Sequence, residues 1–168
     1  MAGANKGKAW EEKFRQDWRK CFPNTFIFRL KDNMNGYKET SGNPCDFLCF
    51  PGTNQLFMVE CKEHKGSSIP FTAIPQYDRL LEYKGFPGVY PGVLLWLSEK
   101  DLVMWISITE MEKMVKDGEK SIGARMIDEK KPYKKAYNIL VLPSKKLRTY
   151  METDYKYLVE KLTESNED

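Results

Sequence analysis

Asp46, Glu60 and Lys62 are charged residues set inside two segments otherwise as apolar as buried strands, Pro44-Cys45-Asp46-Phe47-Leu48-Cys49-Phe50 and Leu56-Phe57-Met58-Val59-Glu60-Cys61-Lys62. Charges are rarely buried unless they are paired or bind a metal. Alternation along a strand puts Glu60 and Lys62 on one face, and Cys61 and Glu63 on the other. The short Pro51-Gly52-Thr53-Asn54 turn lets Asp46 approach Glu60. Two carboxylates held close repel, and each raises the other's pKa unless a cation joins them. Mg²⁺ suits that role, because it takes a few hard oxygen ligands and keeps several waters. Lys62 could then orient or help deprotonate an attacking water, or stabilise developing negative charge. The alternative is an Asp–Lys or Glu–Lys pair that serves structure only; buried pairs seldom add stability for their cost, which favours a site.

Other candidates come from the flanking elements. Residues 5–22 have helical periodicity, with Trp10, Phe14, Trp18, Cys21 and Phe22 on one arc and Glu12, Gln16 and Arg19 opposite. Glu11 lies about 60° from Phe14 at roughly 100° per residue, on the apolar side. An acid there needs a partner, which a metal at Asp46 and Glu60 would supply; the competing expectation is an edge residue that snorkels to water. Gln76 falls in the first turn of a helix expected over Thr72–Lys84, within reach of a strand end, although most such glutamines are plain surface residues. His64 shares the face of Glu60 and Lys62 if the strand continues that far. A lone histidine after a strand is ordinarily just exposed.

The remaining elements are a strand over Thr25–Leu30, a loop over 31–43 with a short strand near Tyr37, and strands over Val89–Leu97 and Leu102–Ile108. A short helix over Thr109–Lys116, a strand over Tyr137–Leu142 and a closing helix over Tyr150–Leu162 follow. The order predicts an α/β fold, a mixed β-sheet flanked by helices, in one domain spanning 1–168. No internal repeat or low-complexity stretch interrupts it.

Composition agrees. Hydrophobic residues at 41% can supply a core, and the net charge of +3 does not by itself mark a polyanion binder. Charge distribution says more: the segment 130–148 carries seven lysines and arginines and no acid, suited to tracking phosphates or to an ordinary solvated edge, and the tail 163–168 is acidic. No apolar run reaches membrane-spanning length, and the N-terminus lacks a signal-peptide core, so no membrane association is expected. Cysteines 21, 45, 49 and 61 form no CxxC pair, and one histidine cannot complete a zinc finger. Reduced, buried thiols in a cytoplasmic protein are expected.

Asp46 followed fourteen positions later by Glu60-Cys61-Lys62 resembles the PD-(D/E)XK nuclease signature. Asn5-Lys6-Gly7 with Trp10-Glu11 resembles the opening motif of the Holliday-junction resolvases, archaeal and RecU-like. Glu60-Cys61-Lys62-Glu63, then Ile69-Pro70-Phe71 and Gln76, follows the RecU-like order. The match covers residues 5–80. One departure is Cys45, which separates Pro44 from Asp46. The resemblance implies a restriction-endonuclease-like core, with a divalent metal (Mg²⁺, or Mn²⁺ as substitute) held by Glu11, Asp46, Glu60 and the backbone carbonyl of Cys61. It makes Lys62 the catalytic lysine and Gln76 a site residue, and Ser41 resembles the small hydroxyl residue some resolvases place near the scissile phosphate. It also implies a homodimer acting on four-way DNA junctions, with apolar surface drawn from the aromatic-rich later strands. The size matches phage-encoded members, working in the host cytoplasm. Two other functions remain open: a restriction- or repair-type nuclease on linear duplex DNA, and a non-cleaving DNA-binding protein on the same scaffold.

Overall fold

The computed structural model describes residues 4–31, 42–128, 130 and 137–165. Helix α1 (Ala4–Cys21) forms because its apolar residues recur at helical spacing, and Trp10, Phe14 and Trp18 are buried along it. Beyond it, Asn24 takes a left-handed φ of 61° and turns the chain into β1 (Phe26–Arg29). Strands β2 (Phe47–Phe50) and β3 (Leu56–His64) follow, then β5 (Val89–Leu97), β6 (Leu102–Ser107) and β8 (Leu140–Val141). These six make one sheet in the order β1-β2-β3-β5-β6-β8. β3 and β5 run parallel and the other pairs antiparallel, so the sheet is mixed, as the order of elements predicted.

The parallel pair requires a crossover. It contains β4 (Ser68–Pro70), a 3₁₀ turn (Phe71–Ala73) and α2 (Tyr77–Leu81). The helix expected over Thr72–Lys84 is therefore shortened. Pro75 disfavours helical geometry at Ile74, which sits at φ −121° and ψ 70°, so the helix starts only after the proline. Helix α3 (Ile108–Lys116) is capped by Ser107, whose hydroxyl accepts from the Glu110 N–H.

Two small pairings were not expected from sequence. β4 pairs with β7 (Ser121–Gly123), and β9 (Ser144–Lys146) pairs with β10 (Met151–Thr153). The closing helix α4 consequently runs over Tyr155–Glu164 instead of beginning at Tyr150, and Asp154 caps it by accepting from the Lys156 N–H. The strand expected over Tyr137–Leu142 contracts to the two residues of β8. The short strand expected near Tyr37 lies outside the described residues, as do Lys131, Lys134 and Lys135 of the basic segment.

The sheet separates two cores. On one face α1 and α4 cover Phe57, Val59, Cys61, Trp96 and Trp105; on the other α2 and α3 cover Met58, Val93, Leu95, Met104 and Ile106. The later aromatic strands therefore do not supply a dimer surface, because Trp96 and Trp105 are interior. Exposed aromatic side chains cluster at the other edge of the sheet, on Phe26, Phe28 and Phe50, with Tyr83 and Phe86 exposed separately between α2 and β5. No described helix is long and apolar enough to cross a membrane.

Strand pairing leaves one opening. β2 accompanies β3 only as far as Val59, opposite Phe47, whereas β5 continues beside it to His64. Among the described residues, 60–64 of β3 thus have a strand neighbour on one side and a free edge on the other.

Candidate active site

Glu60 lies at the point where β3 loses its partner. It is 2% exposed, on the face it shares with Lys62, and Lys62 Nζ is 3.3 Å from its Oε1. Its other oxygen, Oε2, is buried with no hydrogen-bond partner among the described residues. A buried carboxylate oxygen without a donor is costly unless the group is protonated or meets a cation. Burial accordingly pushes the Glu60 carboxyl up to about 8, with the neighbouring charge of Asp46 adding to the rise and Lys62 opposing it.

Asp46 precedes β2 and is fixed by its backbone, with its N–H donating to the Val59 carbonyl at 3.0 Å and its carbonyl accepting from the Leu30 N–H at 2.8 Å. Its side chain turns to the free edge, where Oδ2 accepts from the Cys61 N–H at 2.8 Å. Burial raises its pKa to about 6; the Glu11 charge adds to this, and the Cys61 N–H works against it. The N–H and C=O of one strand residue point to the same side. The Cys61 carbonyl therefore faces the same free edge as Asp46, while its thiol packs in the core beneath α1.

Glu11 reaches the cleft from α1 and has a cation of its own. Its Oε2 accepts from Arg29 Nε at 2.9 Å and lies 2.7 Å from another guanidinium nitrogen. Sequence reasoning passed over Arg29, although a signal was present. On β1, Ile27 and Arg29 stand opposite Cys49 and Phe47, both buried, so Arg29 is a charge on an inward-facing strand position. The same test that singled out Asp46 finds it.

Gly7, Glu11, Asp46, Glu60, Lys62, His64 and Gln76 line one cleft of about 450 Å³. Gln76 sits at the N-cap of α2 instead of inside its first turn, and its Oε1 is buried with no hydrogen-bond partner among the described residues. Six of the sequence candidates, Glu11, Asp46, Glu60, Cys61, Lys62 and Gln76, are thus brought together; Ser41 lies outside the described residues. A cleft of similar size beside α1 differs in kind. Its buried acid, Asp17, is satisfied by Lys13 at 2.6 Å and by the Thr153 N–H at 3.1 Å.

The donor set fits a hard divalent cation held by two carboxylates. Among the described residues no three His, Cys, Asp or Glu side chains converge on one point. Mg²⁺ commonly takes one or two carboxylates and completes its shell with water, and an orphaned Glu60 oxygen beside Asp46 and a free-edge carbonyl meets that need. Glu11 borders this group with Arg29 on its carboxylate.

No protein-family model and no curated protein sequence matches the chain. Among solved structures it is similar to Hjc of Archaeoglobus fulgidus, described as a Holliday junction resolvase from an archaeal hyperthermophile. The TM-score is 0.51 at 18% identity, over 71% of this chain and 89% of that one. The likeness is one of fold. It places the mixed sheet and its flanking helices in the restriction-endonuclease-like class.

Proposed function

We propose that the chain is a metal-dependent endodeoxyribonuclease that resolves four-way DNA junctions by phosphodiester hydrolysis. One observation carries the hydrolytic part: a buried Glu60 oxygen, unpartnered among the described residues, beside Asp46, with Lys62 against the same carboxylate, where β3 loses its β2 neighbour. Lys62 engages only the other oxygen, so the pair by itself does not satisfy this carboxylate, and a bound cation would.

Asp46, Glu60 and the Cys61 carbonyl would hold Mg²⁺, or Mn²⁺ in its place. When bound, such an ion supplies Lewis acidity and brings water closer to hydroxide. Lys62 places an ammonium where negative charge grows on the phosphate as water adds and the P–O bond breaks. The Cys61 N–H orients Asp46, and Arg29 holds Glu11 at the rim, ready to meet a phosphate once DNA competes for it. Gln76, at the N-cap of α2, offers an amide to the bound strand.

The junction substrate is supported by the motif order around Gly7 and Gln76 and by the fold shared with a junction resolvase. Two symmetric cuts call for two copies. The stacked pair Phe26–Phe28, with centroids 6.3 Å apart, and the neighbouring Phe50 form the exposed apolar strip we assign to the homodimer contact. A cytoplasmic, phage-encoded enzyme is the setting that fits this assignment.

The experiment is a cleavage assay with Mg²⁺ on a four-way junction and on linear duplexes of the same arms, beside an Asp46→Asn control. Paired nicks in the junction alone, lost in the control, are expected. Equal cutting of linear duplex would instead make it a general nuclease, and tight binding with no cutting in any divalent metal would make it a binding protein.

A further inference from the structure

His64 is the chain's single histidine. β3 continues through it, so strand alternation places it on the face of Glu60 and Lys62. The strand end is pinned from the opposite face. Ser98 Oγ donates to Glu63 Oε1 at 2.6 Å and lies 3.5 Å from the His64 carbonyl oxygen. The half-buried imidazole lines the carboxylate cleft and lies across Gly66, where a Cβ would stand 3.6 Å from both Cδ2 and Nε2. Among the described residues, no hydrogen bond or ion pair engages the ring; His64 is held through its backbone, by Ser98 and by the pairing with β5.

The charges around it are otherwise committed. Glu60 faces Lys62, Glu63 is held by Ser98 on the far side, and Lys65 lies 3.8 Å from Glu99. An imidazole carries at least one N–H in either protonation state, so an unoccupied donor faces the cleft. Two residues of strand separate His64 from Lys62 by about 7 Å. That is comparable with the spacing of neighbouring phosphates along one nucleic-acid strand.

We propose that His64 is a substrate-contacting residue whose ring N–H donates to the backbone phosphate next to the one held at Lys62. The assignment rests on the nuclease reading above and adds to it a second phosphate subsite, built into β3. Lys62 and His64 then form a ladder that fixes the register of the cut strand. His64 binds the strand; bond breaking stays at Lys62 and the carboxylates.

The test uses the full chain, with a fluorescent four-way junction as probe. In the wild-type protein the single imidazole gives its own ¹H–¹³C resonances, which should move when the junction is added without divalent metal. His64→Ala should raise KM about 5-fold, the scale of one hydrogen bond, with the loss falling in KM more than in kcat. His64→Gln, which keeps an N–H donor, should recover at least half of it. Unmoved imidazole resonances at saturating DNA, or an unchanged KM in His64→Ala, would overturn the assignment while wild-type cleavage left the nuclease reading standing. A wild-type protein that neither binds nor cuts DNA would remove both.

Discussion

In the proposed mechanism Glu60 carries most of the chemistry, and its acidity can be tested without substrate. Its carboxyl titrates near 8 in the folded chain, against an ordinary value of 4.5. Below 4.5 both folded and unfolded states hold the proton. Between 4.5 and 8 the unfolded chain releases it while the folded chain keeps it, so stability falls as pH rises through that window. Asp46, raised to about 6, acts in the same direction, and the two titrate as a coupled pair. At about 1.36 kcal/mol per pKa unit the loss is on the order of a few kcal/mol. Urea denaturation of metal-free protein at pH 5, 6.5 and 8.5 should show it, and Glu60→Gln should flatten it; a flat wild-type profile would contradict the burial argument. The Glu11–Arg29 pair is smaller, being partly exposed, with side chains 17% and 36% accessible. A double-mutant cycle with Glu11→Gln and Arg29→Met should give a coupling of about 0.5–1 kcal/mol in stability. Most of this scale was legible in sequence, since charges inside apolar strands are conspicuous. Arg29 was missed because a four-residue edge strand gives little alternation from which to judge its inward side.

Elements explain what holds the cleft open. α1 was legible because three large aromatics mark one face, and β3 and β5 were legible as near-continuous apolar runs. The three-residue pairings β4–β7 and β9–β10 carry too few alternations to distinguish them from loop, and β10 lies where a helix was expected. The shortening of α2 could have been read from Pro75. At the centre of the sheet Gly92 allows Trp105 to lie across β5, since a Cβ there would stand 2.5 Å from Trp105 Cζ2 and 2.7 Å from the Ile106 carbonyl oxygen. Gly92→Ala should cost about 1–3 kcal/mol by overpacking, read as a lower urea midpoint with unchanged m-value. No loss would mean that the sheet can part from Trp105 at little cost.

For the whole molecule the question is assembly and substrate. The apolar strip on β1 and β2 stands 55% exposed at Phe26, 48% at Phe28 and 41% at Phe50. If it joins two copies, sedimentation should report twice the 19.7 kDa chain mass, and Phe26→Asp with Phe28→Asp should halve it while preserving the thermal transition. A monomeric wild type would remove this assignment and leave the cleft's chemistry untouched. Substrate choice was the least legible part of the sequence. On the proposed reading the carboxylates and lysine account for bond hydrolysis, whereas nothing in their pattern distinguishes a junction from a linear duplex.

The most direct measurement of the central claim is the single-turnover cleavage rate of a labelled four-way junction with Mg²⁺, wild type against Glu60→Gln. If Asp46, Glu60 and Lys62 form a hydrolytic centre, the neutral isostere should lower the rate at least about 10³-fold, a loss of roughly 4 kcal/mol in transition-state stabilisation, and leave the fold intact. A folded Glu60→Gln protein that cuts at the wild-type rate would contradict it.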